Sequence, residues 1–155
     1  MSTVGSEHRI VVGVDGSPSS IAALAWAAEQ AERTGAVVEA TAVWQWPANY
    51  GSPLVAMSGL DPGQEASSSL ERCITEVARD HPQAVIKAQV VQGVASQVLV
   101  QLSRGADLLV VGTRGHGELV GALIGSVSEH CAAHATCPVV VVKRPGHHDE
   151  ARAAS

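Results

Sequence analysis

The sequence predicts an α/β protein in which five strands alternate with four helices, forming an open parallel sheet covered on both faces. Three observations carry that reading. β-branched residues, which favour strands, and alanine and leucine, which favour helices, fall in separate blocks. The run ADLLVVG at 106–112 is apolar without alternation, as expected of a strand buried on both faces. Glycine and proline recur between the blocks as turn and loop signals. A length of 155 residues suits one domain, and 46% hydrophobic residues can build its core. Phenylalanine is absent, so that core must rest on Val, Leu, Ile and Ala.

The elements follow in order. RIVVGVD at 9–15 reads as a strand closed by Gly16-Ser17-Pro18. Ser17 can cap a helix that takes Pro18 at its first position, where a missing N–H costs nothing. Ile21, Leu24, Ala25 and Ala28 recur at helical spacing, and Gly35 provides the stop. AVVEATAVW at 36–44 is the second strand, and WQWPANYGSP at 44–53 reads as loop. A second helix spans about 62–80, with Leu70, Cys73, Ile74 and Val77 on one face. AVIKAQVV at 84–91 alternates enough to suggest a sheet edge. Gly93 leads into a helix striped by Ala95, Val98, Leu99 and Leu102, and the buried strand at 106–112 follows. A helix at about 126–135 and the strand CPVVVVK at 137–143 complete the series, while the polar tail PGHHDEARAAS reads as disordered.

Charge and cysteine content narrow the partners. Ten Lys and Arg against fifteen Asp and Glu give a net charge of −5, which opposes a phosphate backbone, so no nucleic-acid partner is expected. No apolar run reaches the roughly 18–20 residues that span a bilayer, and the N-terminus lacks a secretory layout, so no membrane association is expected. Three scattered cysteines, Cys73, Cys131 and Cys137, fit a reduced cytoplasmic setting.

In parallel sheets ligands bind beyond the carboxyl ends of the strands, where the strand order reverses. The unusual residues of this sequence lie there. After the fourth strand come Gly112-Thr113-Arg114-Gly115-His116-Gly117, then Gly125-Ser126-Val127. Glycine lets backbone amides approach a phosphate, and a helix opening at Ser126 offers free N–H groups and a positive dipole end. The segment is not a P-loop, because neither Lys87 nor Lys143 follows a glycine. No G-x-G-x-x-G follows the first strand, which disfavours a dinucleotide site.

Gly112-x2-Gly115-x9-Gly125-Ser126 resembles the ATP-binding signature of the universal stress protein family. The opening VVGVDGSPSS and the ending GSVSEHCAAHATCPVVVVK are similar to that family too, and the likeness covers residues 8–143. The resemblance implies a domain over 8–144 between tails at 1–7 and 145–155, and the strand order 3-2-1-4-5. It implies ATP with Mg²⁺ as ligand and a homodimer paired through 137–143, the protein partner being unspecified. By position, Asp15 would sit at the nucleoside end near any metal, with Gly13 beside it. Val43 would offer backbone groups to adenine, and Gly112 would approach the ribose. Gly115, Gly125, Ser126 and Val127 would hold phosphates, with Thr113 and Arg114 in the same loop.

Each residue also has a plainer reading. Asp15 can form the turn before the first helix. Ser126-x-x-Glu129 has the form of a capping box, a role compatible with backbone contacts to phosphate. Arg114 can touch phosphate, or be solvated, or serve an interface. His130 and His134 are spaced to clamp zinc but lack the Glu of H-E-x-x-H, so packing or surface is expected and no metal site is assigned. Trp44, Trp46 and Tyr50 can cover the base, the sheet end or a partner. The functional expectation is a nucleotide-binding regulatory or stress-response module that is not an enzyme. A slow ATPase, a self-phosphorylating protein and a nucleotide-free interaction module are the alternatives.

Overall fold

The computed structural model describes residues 7–47, 51–59, 61–113 and 124–143. Residues 1–6 of the first tail, the whole second tail, and the expectations placed on Arg114, Gly115, His116 and Tyr50 lie outside the described residues.

β1 (Arg9–Gly13) leads to α1 (Pro18–Thr34) through a turn whose Gly16 has φ 85°, a left-handed conformation that side chains resist. The Ser17 hydroxyl accepts from the Ser20 N–H at 3.3 Å, capping α1, and Pro18 opens the helix. At its far end Gly35 takes φ 82° and donates its N–H to Ala31 O at 2.8 Å. β2 (Val37–Trp44), α2 (Pro53–Met57) and α3 (Pro62–Asp80) follow. The short α2 was not expected, because a segment bounded by Gly51 and Gly59 composes like a loop; among the described residues there are five helices, not four. β3 (Val85–Gln92), α4 (Ala95–Leu102), β4 (Leu108–Gly112), α5 (Ser126–His134) and β5 (Val139–Val142) complete the chain.

All neighbouring strands pair in parallel, in the order β3-β2-β1-β4-β5. The order expected from the family resemblance is the one observed. β4 sits between β1 and β5, which explains its unbroken apolar run, and β3 lies at an edge, which explains its alternation. One core layer, including Val12, Leu24, Ala28, Val38, Leu70 and Val110, joins α1 and α3 to the sheet. A smaller one, built on Val11, Leu99, Leu109, Val111 and Cys131, lies on the opposite face. At the amino end of the sheet, Arg9 spans to β2 through paired 3.1 Å bonds from its guanidinium to Glu39. No helix among the described residues is long and apolar enough to cross a membrane.

Candidate functional site

The strand order reverses between β1 and β4, and a cavity of about 530 Å³ opens at their carboxyl ends. That volume falls in the range of about 300–1,000 Å³ usual for small-molecule sites. Eight of the ten residues singled out from the sequence line it: Gly13 and Asp15 after β1, Val43 from β2, Gly112 and Thr113 after β4, and Gly125, Ser126 and Val127 at the start of α5.

The end of β4 is tied both to β5 and to the start of α5. Thr113 donates its N–H to Val142 O at 2.9 Å, and Gly125 donates to Thr113 O at 2.5 Å. The buried Ser128 hydroxyl donates to Gly125 O at 3.0 Å, with Thr113 O at 3.4 Å. The end of β4, the start of α5 and β5 therefore form one hydrogen-bonded corner.

Three helices begin around the cavity. The start of α1 is closed by Ser17 and by Asp15, whose Oδ1 accepts from the Ser17 N–H at 2.9 Å. α5 begins differently. Gly125, with φ −75° and ψ 165°, occupies the cap position, and among the described residues no side chain caps the helix. This corrects the capping-box expectation: Ser126 is the first helical residue and exposed, one place too late to cap. The first-turn amides of α5 thus face the cavity with the dipole's positive end, and no described N-cap hydroxyl competes for them. α4 also starts without a side-chain cap at Val94, and its Ala95 lines the same cavity. Among the described residues the one charged lining group is Asp15.

The model of the universal stress protein family matches residues 7–143. The chain belongs to that family. It is 38% identical over 138 residues to universal stress protein Rv2005c of Mycobacterium tuberculosis, an alignment covering 87% of this chain and 45% of the relative. The chain thus spans about half the length of the curated relatives it matches. Among solved structures, the universal stress protein UspA from Lactobacillus plantarum superposes with a TM-score of 0.74 at 22% identity, covering 87% of this chain and 97% of that one. A universal stress protein in complex with cAMP superposes with a TM-score of 0.58 at 28% identity, covering 89% and 98%.

Within this family member's cavity, several walls escaped sequence reasoning. Thr41 and Gln45 join Val43 because alternation along β2 turns odd-numbered residues to the cavity. The even-numbered Trp44 turns to the opposite face and packs against Gly63 of α3. Trp46 meets Trp44 edge to face at 5.3 Å. Neither tryptophan lines the cavity, so of the readings open to them, packing over the sheet end is the one observed. Leu99 and Val111 supply apolar wall from the smaller core layer.

The rings of His130 and His134 lie with centroids 4.4 Å apart and tilted by 43°, and no third metal-binding group joins them among the described residues. Burial pushes the Cys131 thiol up to about 11, so it serves as a small apolar core group. Cys137 is only partly buried, because it precedes the edge strand β5.

Proposed function

We propose that this chain binds ATP with Mg²⁺ as a regulatory or stress-response module and does not turn it over as an enzyme. The observation that carries the reading is the uncapped start of α5, opening onto a cavity at the reversal of strand order. Family membership supports it, as does the cAMP complex of a member 28% identical. In this reading Gly125, Ser126 and Val127 hold phosphates through backbone N–H groups, with Thr113, Arg114 and Gly115 completing the cradle. Val43 offers backbone groups to adenine, and Gly13 and Gly112 flank the nucleoside. Asp15, the one charged lining group among the described residues, is the carboxylate that would hold Mg²⁺. A bound cation would supply the charge that offsets repulsion between Asp15 and the phosphates. Because Asp15 Oδ1 already holds the Ser17 N–H, it serves as a fixed charge in preference to a mobile base. Single-turnover assays with radiolabelled ATP and Mg²⁺ should show retained ATP and little ADP. Stoichiometric ADP or a labelled protein would place the chain among enzymes.

We further propose that the chain forms a homodimer through residues 137–143. Leu109 and Thr113 donate to Pro138 O and Val142 O at 3.0 and 2.9 Å, which fixes the even-numbered backbone groups of β5 towards β4. Alternation then turns the N–H and C=O groups of Val139 and Val141 to the open edge. Val141→Pro removes an outward donor without touching the β4 ladder. Light scattering at tens of micromolar should find a dimer, and a monomer for this variant. A wild-type monomer, or a dimer that tolerates the proline, would move the interface elsewhere.

A further inference from the structure

The second edge of the sheet carries an inference of its own. β3 is twice as long as β5, with eight residues against four, and among the described residues it pairs with β2 alone. Natural edge strands are usually blunted by charges, proline, bulges or shortness. β3 has none of these in strength. Its register runs unbroken from Val85 opposite Val37 to Gln92 opposite Trp44, so no bulge interrupts it. VIKAQVVQ contains no proline and one charge, Lys87, which forms no ion pair among the described residues. At about 3.3 Å per residue the open edge is about 26 Å long.

The backbone can be assigned side by side. Gly93 donates its N–H to Trp44 O at 2.8 Å, so the odd-numbered residues of this strand turn their polar groups to β2. The N–H and C=O groups of Ile86, Ala88 and Val90 therefore point to the free edge. The side chains alternate as well. Ile86 packs on the core layer shared with α1 and α3, and Ala88 and Val90 follow on that face. Val85, Lys87, Gln89 and Val91 occupy the other face, where Val85 is 54% exposed.

We propose that the β3 edge is a docking site for an extended segment of another protein, added to the sheet as a further strand. Its side chains define the partner: apolar residues at alternate positions, to continue the Ile86, Ala88 and Val90 face, and a carboxylate among the others, to meet Lys87. A second copy of this chain is the poorer occupant. Self-pairing at β3 added to self-pairing at β5 would link dimers end to end into an open chain, which does not close.

The test uses the full chain and a fluorescein-labelled, end-blocked peptide, Thr-Val-Thr-Val-Glu-Val-Thr-Val-Thr, followed by fluorescence anisotropy. Saturable binding to the wild type is expected. Ala88→Pro, which removes an outward N–H and keeps the β2 ladder, should weaken binding about tenfold or more. Lys87→Glu should weaken the glutamate peptide several-fold and favour a version carrying lysine in its place. Circular dichroism checks that Ala88→Pro folds, and if it does not, the Lys87→Glu charge swap decides alone. No binding to the wild type, or no preference reversal in Lys87→Glu, overturns the proposal. So does equal binding to a folded Ala88→Pro. A fall in wild-type particle mass caused by Ala88→Pro would assign the edge to a second copy, and equally overturns it.

Discussion

Replacing Gly125 with aspartate is expected to leave the fold standing and to abolish ATP binding. Gly125 holds the cap position of α5 at φ −75° and ψ 165°, a conformation open to any residue, and the helix lacks a side-chain cap. Aspartate is among the best cap residues and exceeds glycine by only a few tenths of a kcal/mol, so stability should change little. The carboxylate would take up the N–H groups of Val127 and Ser128, the second and third helical residues, and so close the start of α5 to the proposed phosphates. It would also place a like charge beside them. At about 4 Å and an effective dielectric of about 20, that repulsion is about 4 kcal/mol, close to a thousandfold in affinity. Calorimetric titration of the folded variant with ATP is the check. Affinity within tenfold of wild type would remove the start of α5 from the site.

Gly112→Ala is expected to act through stability. A Cβ on Gly112 would stand 2.5 Å from Ser19 Oγ, and 2.7 and 2.8 Å from the Ser19 backbone carbon and oxygen. Backbone cannot swing aside as a side-chain tip can, so the first turn of α1 would be pushed off β4. Overpacking of this kind costs about 3 kcal/mol, which for a chain of this size lowers the melting temperature by about 6–12 °C. Gly13→Ala provides the contrast. Its Cβ would meet Leu99 Cδ1 at 2.8 Å, the end of a flexible side chain, and about 1 kcal/mol or less is expected. Thermal melts of the two variants should separate clearly. Equal melting temperatures would show that α1 does not seat on Gly112 as described.

These two glycines also show what the sequence made legible and what it left open. The period of each block placed all five strands and four of the helices, because apolar spacing reflects which faces must be buried. The unbroken ADLLVVG run pointed to the sheet interior, where β4 lies. The order of the strands did not follow from periodicity; it came with the family resemblance and agrees with the observed sheet. Residue type could not say why Gly112 is glycine. A glycine that admits a ligand and one that admits a helix read alike in sequence, and here the Cβ direction points to α1. Ser126-x-x-Glu129 misled for a related reason. A capping box depends on which residue adopts extended backbone, and the hold of Thr113 on Gly125 moves that position one residue earlier. Thr41 and Gln45 were legible in principle, since they share the β2 face of Val43.

The central claim, that the cavity between β1, β2, β4 and α5 is a nucleotide site, is tested most directly by calorimetry of the purified full chain with ATP and Mg²⁺. The sample should first be heat-extracted and checked for co-purified nucleotide. Saturable heat at one ATP per chain is expected, or its absence explained by nucleotide already carried by the protein and restored once that nucleotide is removed. No heat at millimolar ATP from a sample free of nucleotide would contradict the claim.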